Sequence, residues 1–177
     1  MMGKYKKYVQ IGIFSVVLII AGYTVVDSVF GGEERPPEAG DPVPDFVLET
    51  LGGETMSPDD FENRPVVINF WGTFCPPCVE ETPALQRMYD KYKDQGAVIL
   101  GVNLGEQPVV RIEQFVQRFD VTYPILLDPE LLVRDQFGVR SYPTTFFVGR
   151  DGMVKEVFVG GMTEGFIESR IVRLLEP

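Results

Sequence analysis

Two apolar runs without polar alternation dominate the middle of the sequence. Residues 66–70 and 97–103 are almost wholly hydrophobic, which is typical of strands buried on both faces of a sheet. Between them, residues 76–95 are predicted to form a helix, which Pro83 should kink because proline cannot donate a backbone hydrogen bond. A second helix is predicted from apolar side chains at helical spacing, namely Ile112, Phe115, Val116 and Phe119.

The rest of the chain shows shorter elements bounded by turn residues. Hairpins are expected around Gly52-Gly53 and around Asp151-Gly152. The other predicted elements are strands at 46–49, 55–56, 123–127, 144–148 and 154–159, a short helix from Ser57 to about residue 62, a helix at 129–136, and a last helix capped by Thr163 and ending near 175. This order predicts an α/β fold with a central mixed sheet flanked by helices.

The first 42 residues differ in composition from the rest of the chain. Residues 1–8 carry lysines and no acid, and an apolar stretch follows at 9–26. About 18 apolar residues can just span a bilayer as a helix, and lysines before them favour a cytoplasmic amino end. A cleaved signal peptide is the alternative, but no A-x-A site follows the stretch. We expect a cytoplasmic N-terminus (1–8), an uncleaved single-pass anchor in the cell membrane (9–28), a linker (29–42) and an extracytoplasmic domain (43–177).

The composition excludes several kinds of chemistry. A net charge of −10 disfavours nucleic acid as a partner. The chain has no histidine, so Cys–His and Ser–His catalytic pairs cannot form. Its two cysteines, Cys75 and Cys78, are too few ligands for a zinc site. An apolar fraction of 45% is ample for a packed core.

Cys75 and Cys78 lie where a buried strand gives way to a helix. Cys75 should lie at the helix N-terminus, where unpaired N–H groups and the macrodipole favour a thiolate, and Pro76 suits the first helical position. A structural disulfide across so small a loop would stabilise the fold little. Covalent haem attachment would need a histidine where Val79 stands. The pair is therefore predicted to be redox-active.

Three motifs together resemble a known superfamily. They are residues 71–78 (Trp-Gly-Thr-Phe-Cys-Pro-Pro-Cys), 141–146 (Ser-Tyr-Pro-Thr-Thr-Phe) and 101–106 (Gly-Val-Asn-Leu-Gly-Glu). The chain resembles the thioredoxin superfamily and, within it, the membrane-anchored ResA and TlpA group of extracytoplasmic thiol–disulfide oxidoreductases. The resemblance implies a thioredoxin-like fold with an extra N-terminal β-hairpin, and a cis peptide bond before Pro143. It departs between the cysteines, where Pro76-Pro77 replaces the Glu-Pro of ResA.

The resemblance and the expected helix geometry assign roles to the site residues. Cys75 is expected to exchange with the substrate, and Cys78, one turn further in, to resolve the mixed disulfide. Glu81 would share a helix face with Cys78 and raise a nearby thiol pKa. Glu106, after a buried strand, is a candidate proton acceptor for the resolving thiol. Both acids have the alternative of an ordinary solvated charge. The predicted substrate-binding residues are Trp71, Phe74, Pro76, Pro77, Tyr142 and Pro143.

The predicted function follows from the thiol environment and the resemblance. A neutral Pro-Pro spacer and Glu81 leave a thiolate unstabilised, which favours a protein-disulfide reductase over an oxidase. The resemblance implies exported proteins as substrates, apocytochrome c in cytochrome c maturation among them, and a CcdA-like transmembrane thiol donor. No cofactor beyond the cysteine pair is expected, and the chain is expected to be monomeric. The alternatives are a peroxiredoxin-type thiol peroxidase, although Thr73 precedes Cys75 by two residues rather than three, and a non-enzymatic metal-delivery module.

Overall fold

The computed structural model describes residues 12–22 and 35–176. Residues 12–22 form a helix with exposed side chains, and within the two described ranges no helix is long and apolar enough to cross a bilayer. The chain divides into units 1–34 and 35–177, and the second unit carries the sheet. The predicted cytoplasmic segment, the remainder of the predicted anchor and the first part of the predicted linker lie outside the described residues and stay predictions.

The second unit is built on a seven-stranded sheet. Its strands are β1 Leu48–Thr50, β2 Thr55–Met56, β3 Val66–Trp71, β4 Val98–Asn103, β5 Ile125–Leu127, β6 Thr144–Val148 and β7 Val154–Val159. Their spatial order is β2-β1-β5-β4-β3-β6-β7. The centre is parallel, because β3 pairs with β4 and β4 with β5 in the same direction, while β6 and β7 add an antiparallel edge. The predicted mixed sheet is confirmed.

Three of the four helices connect strands, and the last follows β7, in the order that the sequence predicted. They are α1 Pro76–Tyr92, α2 Val110–Arg118, α3 Leu132–Gln136 and α4 Glu164–Leu175. Helix α1 contains Pro83 and is shorter than expected, because residues 93–95 tighten into a 3₁₀ turn that ends at Gly96 in the left-handed conformation (φ 96°). A further 3₁₀ turn, Pro58–Phe61, follows the Ser57 cap.

Strand β3 separates two hydrophobic clusters on opposite faces of the sheet. Every residue of the strand is buried, and alternate side chains enter different clusters. Val67 and Trp71 join the cluster that contains both cysteines and side chains of α1, α2 and α4. The other face holds packed aromatic rings, with the Phe70 and Phe137 centroids 5.1 Å apart. Burial on both sides explains why the strand has no polar alternation.

The expected N-terminal hairpin extends the sheet beyond β5. Strands β1 and β2 pair antiparallel, Leu48 opposite Met56, and β1 then pairs with β5. Backbone hydrogen bonds to the β6–β7 hairpin begin earlier than residue 43, where the domain was expected to start. Gly40 N–H donates to the Val154 carbonyl at 2.8 Å. The last residues of the predicted linker therefore lie along the folded unit.

Candidate active site

Cys75 and Cys78 are joined by a disulfide at the N-terminus of α1. Cys75 is the N-cap residue, and its sulfur accepts a hydrogen bond from the Cys78 N–H at 3.4 Å. Pro76 occupies the first helical turn, where a missing N–H is tolerated. The exposed fraction is 6% for Cys75 and 1% for Cys78. The predicted placement at the helix terminus is confirmed, and the outer sulfur is the more accessible of the two.

Pro143 directly precedes β6, the strand that pairs with the one leading into the cysteines. The Tyr142–Pro143 peptide bond is cis, as the resemblance implied. Thr144 directly after it pairs with Phe70 of β3, which brings the start of β6 beside the end of β3. The Pro143 carbonyl accepts a hydrogen bond from Gly160 N–H at 2.8 Å. A second peptide bond, Gln107–Pro108, is also cis, and the sequence analysis did not predict it.

Glu81 is a buried carboxyl one turn along α1 from Cys78. Only 2% of the residue is exposed, whereas the neighbouring Glu80 is exposed. Its Oε1 accepts a hydrogen bond from Asn69 Nδ2 and its Oε2 accepts one from Met162 N–H, both at 2.9 Å. Burial raises the Glu81 pKa from 4.5 to about 7, although the two hydrogen bonds oppose that rise. The alternative of a solvated helix charge is therefore wrong.

Glu106 contacts the loop that precedes Cys75. Its carboxylate accepts hydrogen bonds from Thr73 N–H at 2.7 Å, from the Thr73 hydroxyl, and from Asn103 Nδ2 at 2.8 Å. Asn103 ends β4, beside Trp71 at the end of β3, so the acid comes from the loop after the neighbouring strand. These bonds hold the Thr73 segment in place. The proposed role as proton acceptor for the resolving thiol stays a prediction.

The family of the chain follows from comparison with known sequences. Residues 39–157 match the AhpC/TSA family. The chain is 37% identical over 177 residues to the thiol-disulfide oxidoreductase ResA of Halalkalibacterium halodurans, covering 99% of each chain. It is 36% identical to the ResA of Bacillus subtilis, covering 98% of this chain and 96% of that one.

The chain belongs to the AhpC/TSA family and, within it, to the ResA-like thiol–disulfide oxidoreductases. Solved structures support the same assignment. A Chlorobium tepidum protein described as a candidate thiol:disulfide interchange protein DsbE superposes with a TM-score of 0.74 at 27% identity, covering 79% of this chain and 99% of that one. StoA from Bacillus subtilis superposes with a TM-score of 0.64 at 27% identity, covering 72% and 96%. The thioredoxin-like fold is confirmed, and this ResA-like chain is a thiol–disulfide oxidoreductase.

The predicted substrate-binding residues fall into an exposed group and a buried group. Phe74 is 61% exposed, and its ring meets the Tyr142 ring edge-on at 6.2 Å. Phe74 also lies directly over Gly72, where a Cβ atom would come within 2.5 Å of the ring. Pro76 is exposed and Pro77 half-buried. Phe74, Tyr142 and Pro76 thus form an accessible surface beside Cys75.

Trp71 and Pro143 belong to the buried group. Trp71 is 3% exposed and packs against Phe115 of α2, with ring centroids 4.7 Å apart. Its Nε1 is the one buried side-chain nitrogen or oxygen without a hydrogen-bond partner in the described part of the chain. Trp71 belongs to the same buried cluster as the two cysteines, so it packs in the core instead of lining the accessible surface.

Three partners of the site were missed from the sequence. They are Asn69, Thr145 and Met162. Asn69 did carry a signal, because it is a polar residue inside a run predicted to be buried on both faces. The contribution of Met162 comes from its backbone N–H, which no side-chain pattern reveals.

Replacing Glu106 with Gln should lower the free energy of unfolding by about 1–2 kcal/mol, because the charge-assisted bonds to Thr73 are lost. Urea unfolding measures this change. Glu113→Gln, on the exposed side of α2, is the matched control and should change stability by less than about 0.5 kcal/mol. Unchanged stability together with slower release of mixed disulfides would instead favour the proton-acceptor role.

Proposed function

We propose that this oxidoreductase works as a reductant of disulfides in extracytoplasmic proteins. The observation that carries the proposal is the buried Glu81 carboxyl, one helical turn after Cys78. Its negative form opposes a nearby thiolate, and the two prolines of the spacer offer the sulfur no N–H donor. Strong oxidants of this fold class owe their potential to a stabilised reduced form. At this site the described partner of the Cys75 sulfur is the single Cys78 N–H, and the Glu81 charge opposes the thiolate, so the reduced form is only weakly stabilised and the dithiol gives up electrons readily.

The reaction is an exchange of two electrons and two protons. The Cys75 thiolate attacks one sulfur of the substrate disulfide, forming a mixed disulfide and releasing the other substrate sulfur as a thiolate, which takes up a proton. The Cys78 thiol loses its proton and attacks Cys75, which releases the second substrate sulfur and forms the Cys75–Cys78 disulfide. A dithiol donor then reduces that disulfide and is itself oxidised.

Apocytochrome c is the proposed substrate, and a CcdA-like transmembrane thiol carrier is the proposed donor. The resemblance to the ResA and TlpA group supports both assignments. Attachment to the outer face of the cell membrane through residues 9–28 is likewise proposed, and the lysine-flanked apolar stretch supports it. An anchored reductant outside the cytoplasm needs electrons from within, which is why a membrane-spanning donor is part of the proposal.

The reduction potential of the full chain tests the direction of electron flow. Equilibration with dithiothreitol or glutathione buffers should give a value near that of thioredoxin, about −270 mV, or lower. A value near that of DsbA, about −120 mV, would contradict the proposal and make the chain an oxidant.

The substrate proposal has a separate test. The reduced chain should reduce an oxidised peptide that carries Cys-x-x-Cys-His several-fold faster than a peptide of equal composition whose disulfide closes a wider loop. Stopped-flow fluorescence measures both rates. Equal rates would contradict apocytochrome c as the preferred substrate and leave the reductase function standing.

A further inference from the structure

Asn69 is a polar residue at the centre of a buried strand. It is 2% exposed, and the other residues of β3 are apolar. A buried amide destabilises the fold unless its hydrogen bonds are formed. Its Nδ2 donates to Glu81 Oε1 and to Thr145 Oγ1, both at 2.9 Å. The amide has therefore found partners on two different elements.

Those two partners lie on the two segments that make up the redox site. Glu81 belongs to α1, which begins at the cysteines. Thr145 lies directly opposite Asn69 in the antiparallel pairing of β3 with β6, two residues after Pro143. The Asn69 side chain points to the same face of β3 as Val67 and Trp71, which is the face that holds the disulfide. One amide thus connects the helix of the cysteines to the strand of the cis-proline.

We propose that Asn69 is a positioning residue of the disulfide exchange, which fixes the Glu81 carboxyl beside the cysteine pair through its bond to Thr145. The inference deepens the proposed function and rests on it. Each of the two Nδ2 hydrogens has one acceptor, so the Thr145 hydroxyl prevents the amide from rotating away. The fixed N–H then stabilises the ionised form of Glu81 in a place where burial disfavours it.

The other groups that face Glu81 are few. Tyr123, from the segment before β5, is the titratable neighbour, and both burial and the charge of Glu81 raise its pKa. On its own helix Glu81 is preceded by Cys78 and Cys75, which titrate once reduced. Among the described residues, the groups that bond to its carboxyl are neutral, namely the Asn69 amide from β3 and the Met162 N–H before α4.

Asn69→Leu tests the proposal, because leucine has the same branched arrangement of side-chain heavy atoms as asparagine and has no N–H to donate. The Glu81 carboxyl should bind its proton about tenfold more tightly, which moves its titration up by about one pH unit. The carbon-13 shift of that carboxyl, assigned by its absence in Glu81→Gln, reports the titration directly. Near neutral pH the reduced variant should also alkylate at Cys75 about threefold to tenfold faster, because a neutral Glu81 no longer opposes the thiolate.

The double variant Asn69→Leu/Glu81→Gln separates positioning from a structural role. If Asn69 acts through Glu81, the double variant has the same alkylation profile against pH as Glu81→Gln alone. The proposal would be overturned if Asn69→Leu shifted the alkylation profile equally in the wild type and in Glu81→Gln. It would also be overturned if Asn69→Leu left the Glu81 titration unchanged. If Asn69→Leu does not fold, Thr145→Val serves instead, because it releases the amide and should move the Glu81 titration in the same direction by a smaller amount.

Reduction of insulin disulfides by the reduced wild-type chain tests the proposed reductase function separately from the positioning role of Asn69. Reduction by the wild type with no effect of Asn69→Leu on the Glu81 titration removes the positioning role and leaves the proposed function intact. Failure of the wild type to reduce disulfides removes the proposed function, whatever Asn69 does.

Discussion

Replacement of Cys78 by Ser should leave the protein covalently joined to its substrate. The more accessible Cys75 can still attack a disulfide, but a hydroxyl in place of the resolving thiol cannot release the mixed disulfide. Turnover should fall by at least about three orders of magnitude. Non-reducing electrophoresis and intact mass measurement will show the adduct, and added dithiothreitol will cleave its mixed disulfide.

Cys75→Ser is the matched control for that experiment. It leaves only the thiol that is 1% exposed, so it should form no adduct and have no turnover. Adducts with Cys75→Ser and none with Cys78→Ser would reverse the assigned order of the two sulfurs. That result would mean that the helix opens at its first turn during exchange.

The stability of the wild-type protein should fall as the pH rises from about 4.5 to about 7, and Glu81→Gln should remove that part of the dependence. Below 4.5 the carboxyl is protonated in both the folded and the unfolded chain. Between 4.5 and about 7 the unfolded chain ionises at Glu81 while the folded chain keeps its proton, so ionisation favours unfolding. The rise in pKa, at about 1.4 kcal/mol per pH unit, amounts to about 3 kcal/mol across this range.

Urea unfolding at several pH values measures this difference. Glu80→Gln is the control, because Glu80 is exposed on the same turn of α1 and should leave the pH dependence unchanged. Only the slope against pH is compared, so a constant loss from the altered hydrogen bonds of the substituted side chain does not affect the result. Equal slopes for the wild type and Glu81→Gln would show that the carboxyl is ionised in the fold at acidic pH.

Local sequence patterns correctly predicted the strand and the helix that hold the two cysteines. The apolar run before Cys75 has no polar alternation because both of its faces are covered, and it forms the central strand β3. Pro76 and the spacing of the cysteines placed the pair at the start of a helix. These predictions succeed because strand burial and helix initiation depend on residues close together in the sequence.

The contacts of the two site acids could not be predicted in the same way. Glu81 is bonded to Met162 N–H, 81 residues away, and Glu106 to Thr73, 33 residues away. The helical spacing places Glu81, unlike the exposed Glu80, on the face of Cys78, but it does not show that the carboxyl is buried there. Burial raises the pKa of Glu81, whereas Glu80 stays exposed to water. This difference depends on how α1 packs against β3 and the segment before α4.

The sequence alone determined the class of fold, the redox pair and its place at a helix N-terminus, because each depends on hydrophobic spacing, proline and cysteine identity over a few neighbouring residues. Only the tertiary structure decided what surrounds the sulfurs. The central sheet brings Asn69, Thr145 and Met162 together around one carboxyl, and these residues are far apart in the chain. Folding withdraws Glu81 from water at that junction, and the loss of hydration gives an ordinary acid its unusual pKa.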